Sequence, residues 1–393
     1  MVDTQKSIAV LGSTGSVGRQ ALDAAFRVGA KVTEITGNKN WRLLETQSRA
    51  TGVKKVWVSE EFYGDLKVAL ADTKTVVTTG GDGLNEIAYS TKSQLVFNCL
   101  LGSSGLIPAI SALDGGHDIA ISNKEALVEG GELITKKARE KGRKIIPVDS
   151  EHSAIFQCIA GESAAGGGLP IKKIYLTASG GAFYGRDTSY LEKVTPKMAL
   201  CHPTWKMGDK ITIDSSTLMN KGLEIIEAVW LFGVAPDDIE VLIHRESVVH
   251  SMVEFIDNNV KAVLSKPDMR LCAQYAITYP ERLPAGVESL DFTNLGAITF
   301  SKPDTKTFPL LPLAVSAIKK GGNIPSAMSS ANEEAVKGFL EGRLGFTGIF
   351  DVVTRVVEDT NFIKSPSLDD IIQTGMSARN RVKQVLAAQP RRS

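Results

Sequence analysis

Cysteine is scarce. Four stand among 393 residues, at 99, 158, 201 and 272, and no two are spaced C-x-x-C. That spacing excludes a disulfide framework and a zinc ribbon as the organising device, and it suits a reducing compartment. Net charge is also nearly absent: 45 Lys and Arg stand against 44 Asp and Glu, a formal balance of +1. Nothing in that balance favours nucleic acid or an anionic membrane as partner. No apolar run approaches the roughly 20 residues of a membrane-spanning helix. The chain enters a strand and a glycine turn from Ile8, which leaves no room for a signal or transit peptide. A soluble, cytoplasmic protein is expected. The five histidines, at 117, 152, 202, 244 and 250, never form H-E-x-x-H or another zinc spacing, which argues against zinc hydrolysis.

At roughly 100–200 residues per domain, two or three domains are expected. Up to about residue 150, short apolar runs alternate with helix-compatible segments, as in a parallel α/β sheet: Ile8 to Leu11, Val32 to Ile35, Val56 to Val58, Leu95 to Phe97, Ile119 to Ile121 and Ile145 to Val148. Residues 151–285 mix helices with alternating strands, and Val241 to Phe255 reads as a half-buried sheet segment that puts His244 and His250 on one face. Those two histidines and Cys201 read as packing residues. Gly161 to Pro170 reads as a connector, 286–310 as a linker, and 311–393 as a helical bundle in which Ser367 caps a helix with Asp370 three residues on.

Gly12-Ser-Thr-Gly15-Ser-Val-Gly18 follows the first strand and opens a helix. In that context the backbone can approach a pyrophosphate and the helix N-terminus supplies amide donors; a turn that only eases packing is the alternative. The second strand ends in Gly37-Asn38-Lys39-Asn40, with Glu34 inside the strand and not at its tip. A basic, amide-rich end accepts a 2′-phosphate, so NADPH is favoured over NADH, although Lys39 also fits a solvated loop.

Asp149 and Glu151 follow the strand that ends at Val148, and on extended backbone their side chains would share one side. With Glu224 they offer hard oxygen ligands for Mg²⁺ or Mn²⁺; the alternative is that Asp149 and Ser150 cap the next helix. Asn220, Lys221 and Glu224 fall at i, i+1 and i+4 of a helix. Ser179, His202, Ser215 and Ser216, with Asn220 and Lys221, supply hydroxyl, amide and cationic donors suited to a phosphate monoester. Pro203 to Gly208 reads as a flap at 200–210 that carries Trp205.

These segments resemble the 1-deoxy-D-xylulose 5-phosphate reductoisomerase family along nearly the whole chain: GSTGSVG from 12, SNKEAL from 122, VDSEHSAIFQ from 148, TASGGAF from 177, HPTWKMGDK from 202, DSSTLMNKGLEIIEA from 214, PDMR from 267 and SANEEAVKGFLEGRLGF from 330. The resemblance implies an N-terminal Rossmann-like doubly wound domain over 1–150 and a central α+β catalytic domain with a flexible loop over 151–285. A C-terminal α-helical bundle and a homodimer are implied as well. It implies NADPH contacts at Thr14, Gly15, Ser16, Val17, Gly37, Asn38, Lys39, Asn40, Asn123, Glu125, Met207 and Gly208, and a divalent metal on Asp149, Glu151 and Glu224. Lys124 and Ser150 would touch the sugar phosphate near the metal. Ser179, His202, Ser215, Asn220 and Lys221 would bind its phosphate, and Trp205 would cover it. The implied reaction is rearrangement and reduction of 1-deoxy-D-xylulose 5-phosphate to 2-C-methyl-D-erythritol 4-phosphate. A divergent NADPH-dependent dehydrogenase of a small aldehyde or semialdehyde, and a non-catalytic NADPH-binding protein, are the rivals. The family commonly reads H-P-Q where this chain has His244-Arg245-Glu246, Gly where it has Ala178 and Pro where it has Ala182, and the turn at Gly37 is one residue longer.

Overall fold

The alternating apolar runs fold as a seven-stranded parallel sheet in a computed structural model that describes residues 6–201 and 207–388. Its strands and helices follow in order: β1 (Ser7–Leu11), α1 (Ser16–Val28), β2 (Lys31–Thr36), α2 (Trp41–Thr51), β3 (Lys55–Trp57), α3 (Tyr63–Ala69), β4 (Val76–Thr78), α4 (Gly80–Ser90), β5 (Leu95–Asn98), α5 (Leu106–Asp114), β6 (Asp118–Ile121), α6 (Lys124–Lys141), β7 (Ile145–Pro147) and α7 (Ser150–Ile159). The spatial order is β4-β3-β2-β1-β5-β6-β7, all parallel. Ile8 to Leu11 are wholly buried because helices cover both faces of such a sheet. The order reverses between β1 and β5, where open α/β sheets bind ligands beyond the strand ends. Edge strand β4 has three residues, too few to read as a period, and it was absent from the expected set.

The chain divides into two units. The first takes the described residues up to Ala126, then Glu132–Ser153 and Asp268–Glu288. That last segment packs its helix on α1, and the Lys6 ammonium donates to the Tyr279 carbonyl at 3.1 Å.

The second unit takes Leu127–Gly131, Ala154–Pro267 and the chain from Ser289 onward. It contains β8 (Ile171–Ala178), α8 (Thr188–Leu191), α9 (Pro196–Ala199), α10 (Asp209–Ser216), α11 (Met219–Phe232), β9 (Ile239–Ile243), β10 (Val249–Phe255) and β11 (Val260–Leu264). The strands order as β11-β10-β8-β9, with only β8 and β9 parallel. Val241 to Phe255 is therefore two strands and not one. His244 sits in the turn after β9, where Ser247 takes φ 52°, and His250 lies in β10, so the shared face expected for them does not form.

Helix α12 (Met269–Thr278) is the one on α1 in the first unit; α13 (Leu310–Lys320), α14 (Ile324–Leu340), α15 (Phe346–Glu358) and α16 (Leu368–Ala387) complete the second. Their apolar faces and the sheet share one core, in which the Phe346 ring stands edge-on to Phe183, Phe339 and Phe350 at 5.1–5.6 Å. Ser367 and Asp370 form a reciprocal capping box at the start of α16. Between 286 and 309 the one regular pairing among described residues joins Ser301 to Ile243.

Gly222 shows how closely these helices approach: a Cβ there would lie 2.6 Å from the Cβ of Ala314 across the α11–α13 contact. Gly222→Ala is expected to destabilise by about 1–3 kcal/mol through overpacking. Thermal unfolding should show a midpoint lower by several degrees, and an unchanged midpoint would contradict this packing.

Candidate active site

The first unit contributes the glycine turn. Gly12 ends β1 at φ 81°, and a Cβ there would meet the Cys99 carbonyl oxygen at 2.6 Å; a Cβ on Gly18 would lie 2.2 Å from the Gly12 oxygen. Only glycine lets α1 start this close to the strand. Thr36, at the end of β2, holds the turn: its hydroxyl accepts from the Gly12 amide and its carbonyl from the Ser13 amide, both at 2.8 Å. Gly37 abuts Thr14, where a Cβ would stand 3.0 Å from the threonine methyl. Thr14, Gly15, Ser16 and Val17 thus surround the start of a helix with no acidic residue in its first turn, so its amides face outward for an anion. Asn38 and Lys39 are exposed beside them, and Asn40 caps α2. Glu34 is engaged by the hydroxyls of Thr91 and Ser93, inside the sheet.

At the start of α6, Asn123 is buried. Its amide donates to the carbonyls of Leu100 (2.7 Å) and Gly102 (2.9 Å), and its oxygen accepts from the Ala126 amide at 2.6 Å. It thereby fixes the next two side chains, Lys124 and the buried Glu125. The Lys124 ammonium pairs with Asp149, and His152 Nδ1 lies 3.4 Å from the same carboxylate. Asp149 and Glu151 are not the extended pair expected from their spacing. Helix α7 begins at Ser150, which places Glu151 in its first turn; the Asp149 carboxylate accepts from the Ser150 amide at 2.9 Å, and the Ser150 hydroxyl donates to Glu151 at 2.6 Å. The Asp149 carbonyl accepts from the Ser153 amide, so the residue also starts the helix.

In the second unit, Ser179-Gly180-Gly181 turns out of β8 with φ of 79° and 70° at the glycines. A Cβ on Gly181 would lie 2.5 Å from the Ser215 carbonyl oxygen, so the turn rests against the end of α10. On α11 the Lys221 ammonium pairs with Glu224 and donates to the Thr177 carbonyl at 2.5 Å, while Asn220 donates to Glu224 at 2.5 Å. Side-chain exposure is 4% for Lys221 and 1% for Glu224. Burying either charge by itself is costly, and the pairing offsets that cost. The Asn220 amide oxygen is buried with no hydrogen-bond partner among the described residues. Met207 is half-buried and Gly208 precedes α10. His202 and Trp205 lie outside the described residues.

One contributor carries little signal in the sequence. Asp214, 1% exposed on α10, pairs with Lys210 at 2.7 Å and accepts from Asn332 of α14 at 2.8 Å. The lysine at i−4 was the one signal available. Arg245 Nη1 donates to the carbonyls of Ser179 and Gly181, and Glu246 pairs with buried His244 at 2.8 Å. His244 Nε2 accepts from the Val248 and Val249 amides, which leaves its proton on Nδ1, facing Glu246 and the Thr299 carbonyl. Burial works against the Glu246 charge, but hydrogen bonds from Thr299, together with its own backbone and His244, outweigh it and hold the carboxyl below its ordinary range. Ala178 is buried, and its carbonyl accepts from the His244 amide at 2.7 Å. Ala182 packs on the core. Burial pushes the thiols of Cys99 and Cys272 up to about 12. Cys201, expected to pack, is exposed at the end of a short helix.

Comparison with known proteins gives one consistent result. The family model of 1-deoxy-D-xylulose 5-phosphate reductoisomerase matches residues 8–131, and models of its C-terminal domains match 145–232 and 264–381. The chain is similar to the reductoisomerase of Bacteroides fragilis, 44% identical over 385 residues that cover 97% of this chain and 98% of that one. It is likewise similar to that of Pelotomaculum thermopropionicum, 45% identical over 379 residues, covering 95% and 97%. Among solved structures, the Zymomonas mobilis reductoisomerase in complex with NADPH superposes with a TM-score of 0.89 at 36% identity, covering 98% and 99%. A reductoisomerase in complex with NADPH, fosmidomycin and magnesium superposes at 0.91 and 34%, covering 97% and 98%. Motifs, sheet order and near full-length identity agree, and the chain belongs to the 1-deoxy-D-xylulose 5-phosphate reductoisomerase family.

Proposed function

We propose that this chain converts 1-deoxy-D-xylulose 5-phosphate to 2-C-methyl-D-erythritol 4-phosphate, using NADPH and a divalent cation, Mg²⁺ or Mn²⁺. The observation that carries the reading is the Asn220–Lys221–Glu224 group, a buried carboxylate and ammonium beside a half-buried asparagine whose amide oxygen has no partner among the described residues. Plain hydride transfer to an aldehyde needs no such group, which disfavours a simple dehydrogenase.

The donor set fits both cofactors. Asp149, Glu151 and Glu224 are hard oxygen ligands and would hold the cation, with Lys124 and Lys221 beside two of them as the counter-charges. The glycine turn, closed to any Cβ at 12 and 18, would receive the pyrophosphate, with Gly37 to Asn40 at the ribose phosphate. When bound, the cation supplies charge stabilisation for a carbon–carbon rearrangement and NADPH supplies the hydride that reduces the resulting aldehyde. The chain's own part is positional. Ser179, Ser215 and Lys221 would anchor the substrate phosphate, binding energy remote from the reacting carbons that can hold them in register. His202 belongs to that phosphate set. Lys124 and Ser150 would face the reacting oxygens, and Asn220 would stand with the phosphate set. Trp205, with Met207 and Gly208 after it, would close over the site and exclude water. The same reading takes the protein as a cytoplasmic homodimer.

Absorbance of NADPH should fall on addition of 1-deoxy-D-xylulose 5-phosphate with Mg²⁺ or Mn²⁺, stop with a chelator, and yield the branched methylerythritol phosphate. Cofactor binding without oxidation would refute the reading. Glu224→Gln should lower turnover about a hundredfold or more, some 2.7 kcal/mol of lost transition-state stabilisation, and leave NADPH affinity intact. Near-normal turnover would remove Glu224 from the metal site. Gly18→Ala should weaken NADPH binding about tenfold or more in a fluorescence titration, equivalent to about 1.4 kcal/mol; unaltered affinity would mean the turn is not the cofactor cradle.

A further inference from the structure

Two successive glycines in the left-handed region give the Ser179–Gly181 turn no conformational preference of its own. Within the turn the Gly181 amide donates to the Ser179 hydroxyl at 3.3 Å, and contacts from outside set where the turn, and with it that hydroxyl, stands. Two contacts do so. On one side Gly181 rests on the Ser215 carbonyl, the 2.5 Å approach that excludes any side chain. On the other, Arg245 Nη1 donates to the Ser179 carbonyl at 2.6 Å and to the Gly181 carbonyl at 3.0 Å, so a single nitrogen spans the turn.

The arginine is itself braced. Its guanidinium carbon lies 5.2 Å over the Tyr184 ring, and the Tyr184 hydroxyl is 3.0 Å from Ser301 Oγ. Ser301 pairs with Ile243, two residues before Arg245. One terminal nitrogen with two hydrogens serves both carbonyls, and stacking of the rigid guanidinium plane on the Tyr184 ring holds that nitrogen over the turn. Arg245 is exposed, so it contributes little to the core.

We infer that Arg245 is a positioning residue for the phosphate end of the substrate: it fixes the Ser179–Gly181 turn at the separation from Ser215 that lets both serines reach one phosphate. The inference rests on the phosphate site proposed above. Arg245 acts through the turn; its role is distance, with its positive charge secondary.

The test is steady-state kinetics of Arg245→Ala, Arg245→Lys and Ser215→Ala in the full chain, with inorganic phosphate as competing ligand. Losing two hydrogen bonds that preorganise the turn should raise KM for the sugar phosphate and the inhibition constant of phosphate about tenfold. Turnover should change less than about threefold and NADPH affinity should not change, a split that general loss of structure does not produce. Arg245→Lys keeps the charge and a single donor nitrogen but loses the stacked plane that aims it, so its KM should fall between that of Arg245→Ala and the parent. Full rescue by lysine with none by Arg245→Gln, which keeps a donor without the charge, would overturn the clamp in favour of charge. Should Arg245→Ala fold poorly, Arg245→Gln keeps an amide donor and should give an intermediate KM. If Ser215→Ala weakens phosphate and Arg245→Ala does not, the Arg245 inference fails while the phosphate site stands; if neither weakens it, the phosphate site falls and the inference with it.

Discussion

A glutamate that water hardly reaches has to be neutralised where it lies, and the second unit is arranged around that demand. Lys221 answers Glu224 from one turn away and hands a further hydrogen bond to the Thr177 carbonyl, which ties α11 to the end of β8. The next residue, Gly222, has no side chain, so α11 can close on α13 at Ala314. Leu223 goes into the core. The run Asn220-Lys-Gly-Leu-Glu224 therefore reads as one device. Amide and ammonium hold the carboxylate, the glycine permits the helix contact, and the leucine anchors the face that keeps the three polar groups together. Removing either partner of a buried pair leaves a desolvated charge behind, the costliest kind of loss available to the chain.

The first unit solves a similar problem with backbone. Its ligand would be an anion, so the useful groups are amides, and those are exposed only if no side chain intervenes. Gly12 and Gly18 sit where a Cβ would strike the Cys99 and Gly12 carbonyls, and Thr36 ties the turn to the neighbouring strand through both its hydroxyl and its carbonyl. Asn123 does the equivalent work at α6, engaging three backbone groups so that Lys124 is delivered to Asp149. At both places a polar residue fixes backbone beside a group of the proposed site: Thr36 the glycine turn, Asn123 the start of α6.

Positions at which this chain departs from the family's common pattern turn out to be occupied and not idle. Glu246 pairs with His244 and accepts from Thr299, and Ala178 offers its carbonyl to the His244 amide. Arg245 spans the glycine turn. A proline at 245 would have no side-chain donor, so whatever holds the turn in such a chain must come from elsewhere.

Much was legible from sequence because it depends on local pattern. Apolar runs alternating with helices dictate a parallel sheet, and glycines directly after a strand at a helix start dictate a phosphate-sized turn. Carboxylates at a strand end, beside serines, an amide and lysines, mark polar chemistry. The family resemblance rests on those features. What depends on meeting across the chain was not legible. The periodicity of Val241 to Phe255 hid a turn, since alternation continues through it by chance of residue type. Asp149 and Glu151 keep their spacing whether strand or helix follows, and only the onset of α7 at Ser150 decided that the helix wins. The partners of Asp214 and Arg245 lie on other elements, at Asn332 and at the carbonyls of Ser179 and Gly181. A carbonyl acceptor carries no sequence signature, because every residue has one. Sequence by itself determined the sheet, the turn and the kinds of groups available; tertiary structure decided which of them meet, because hydrogen bonds and ion pairs are set by distance in space and sequence records only order along the chain.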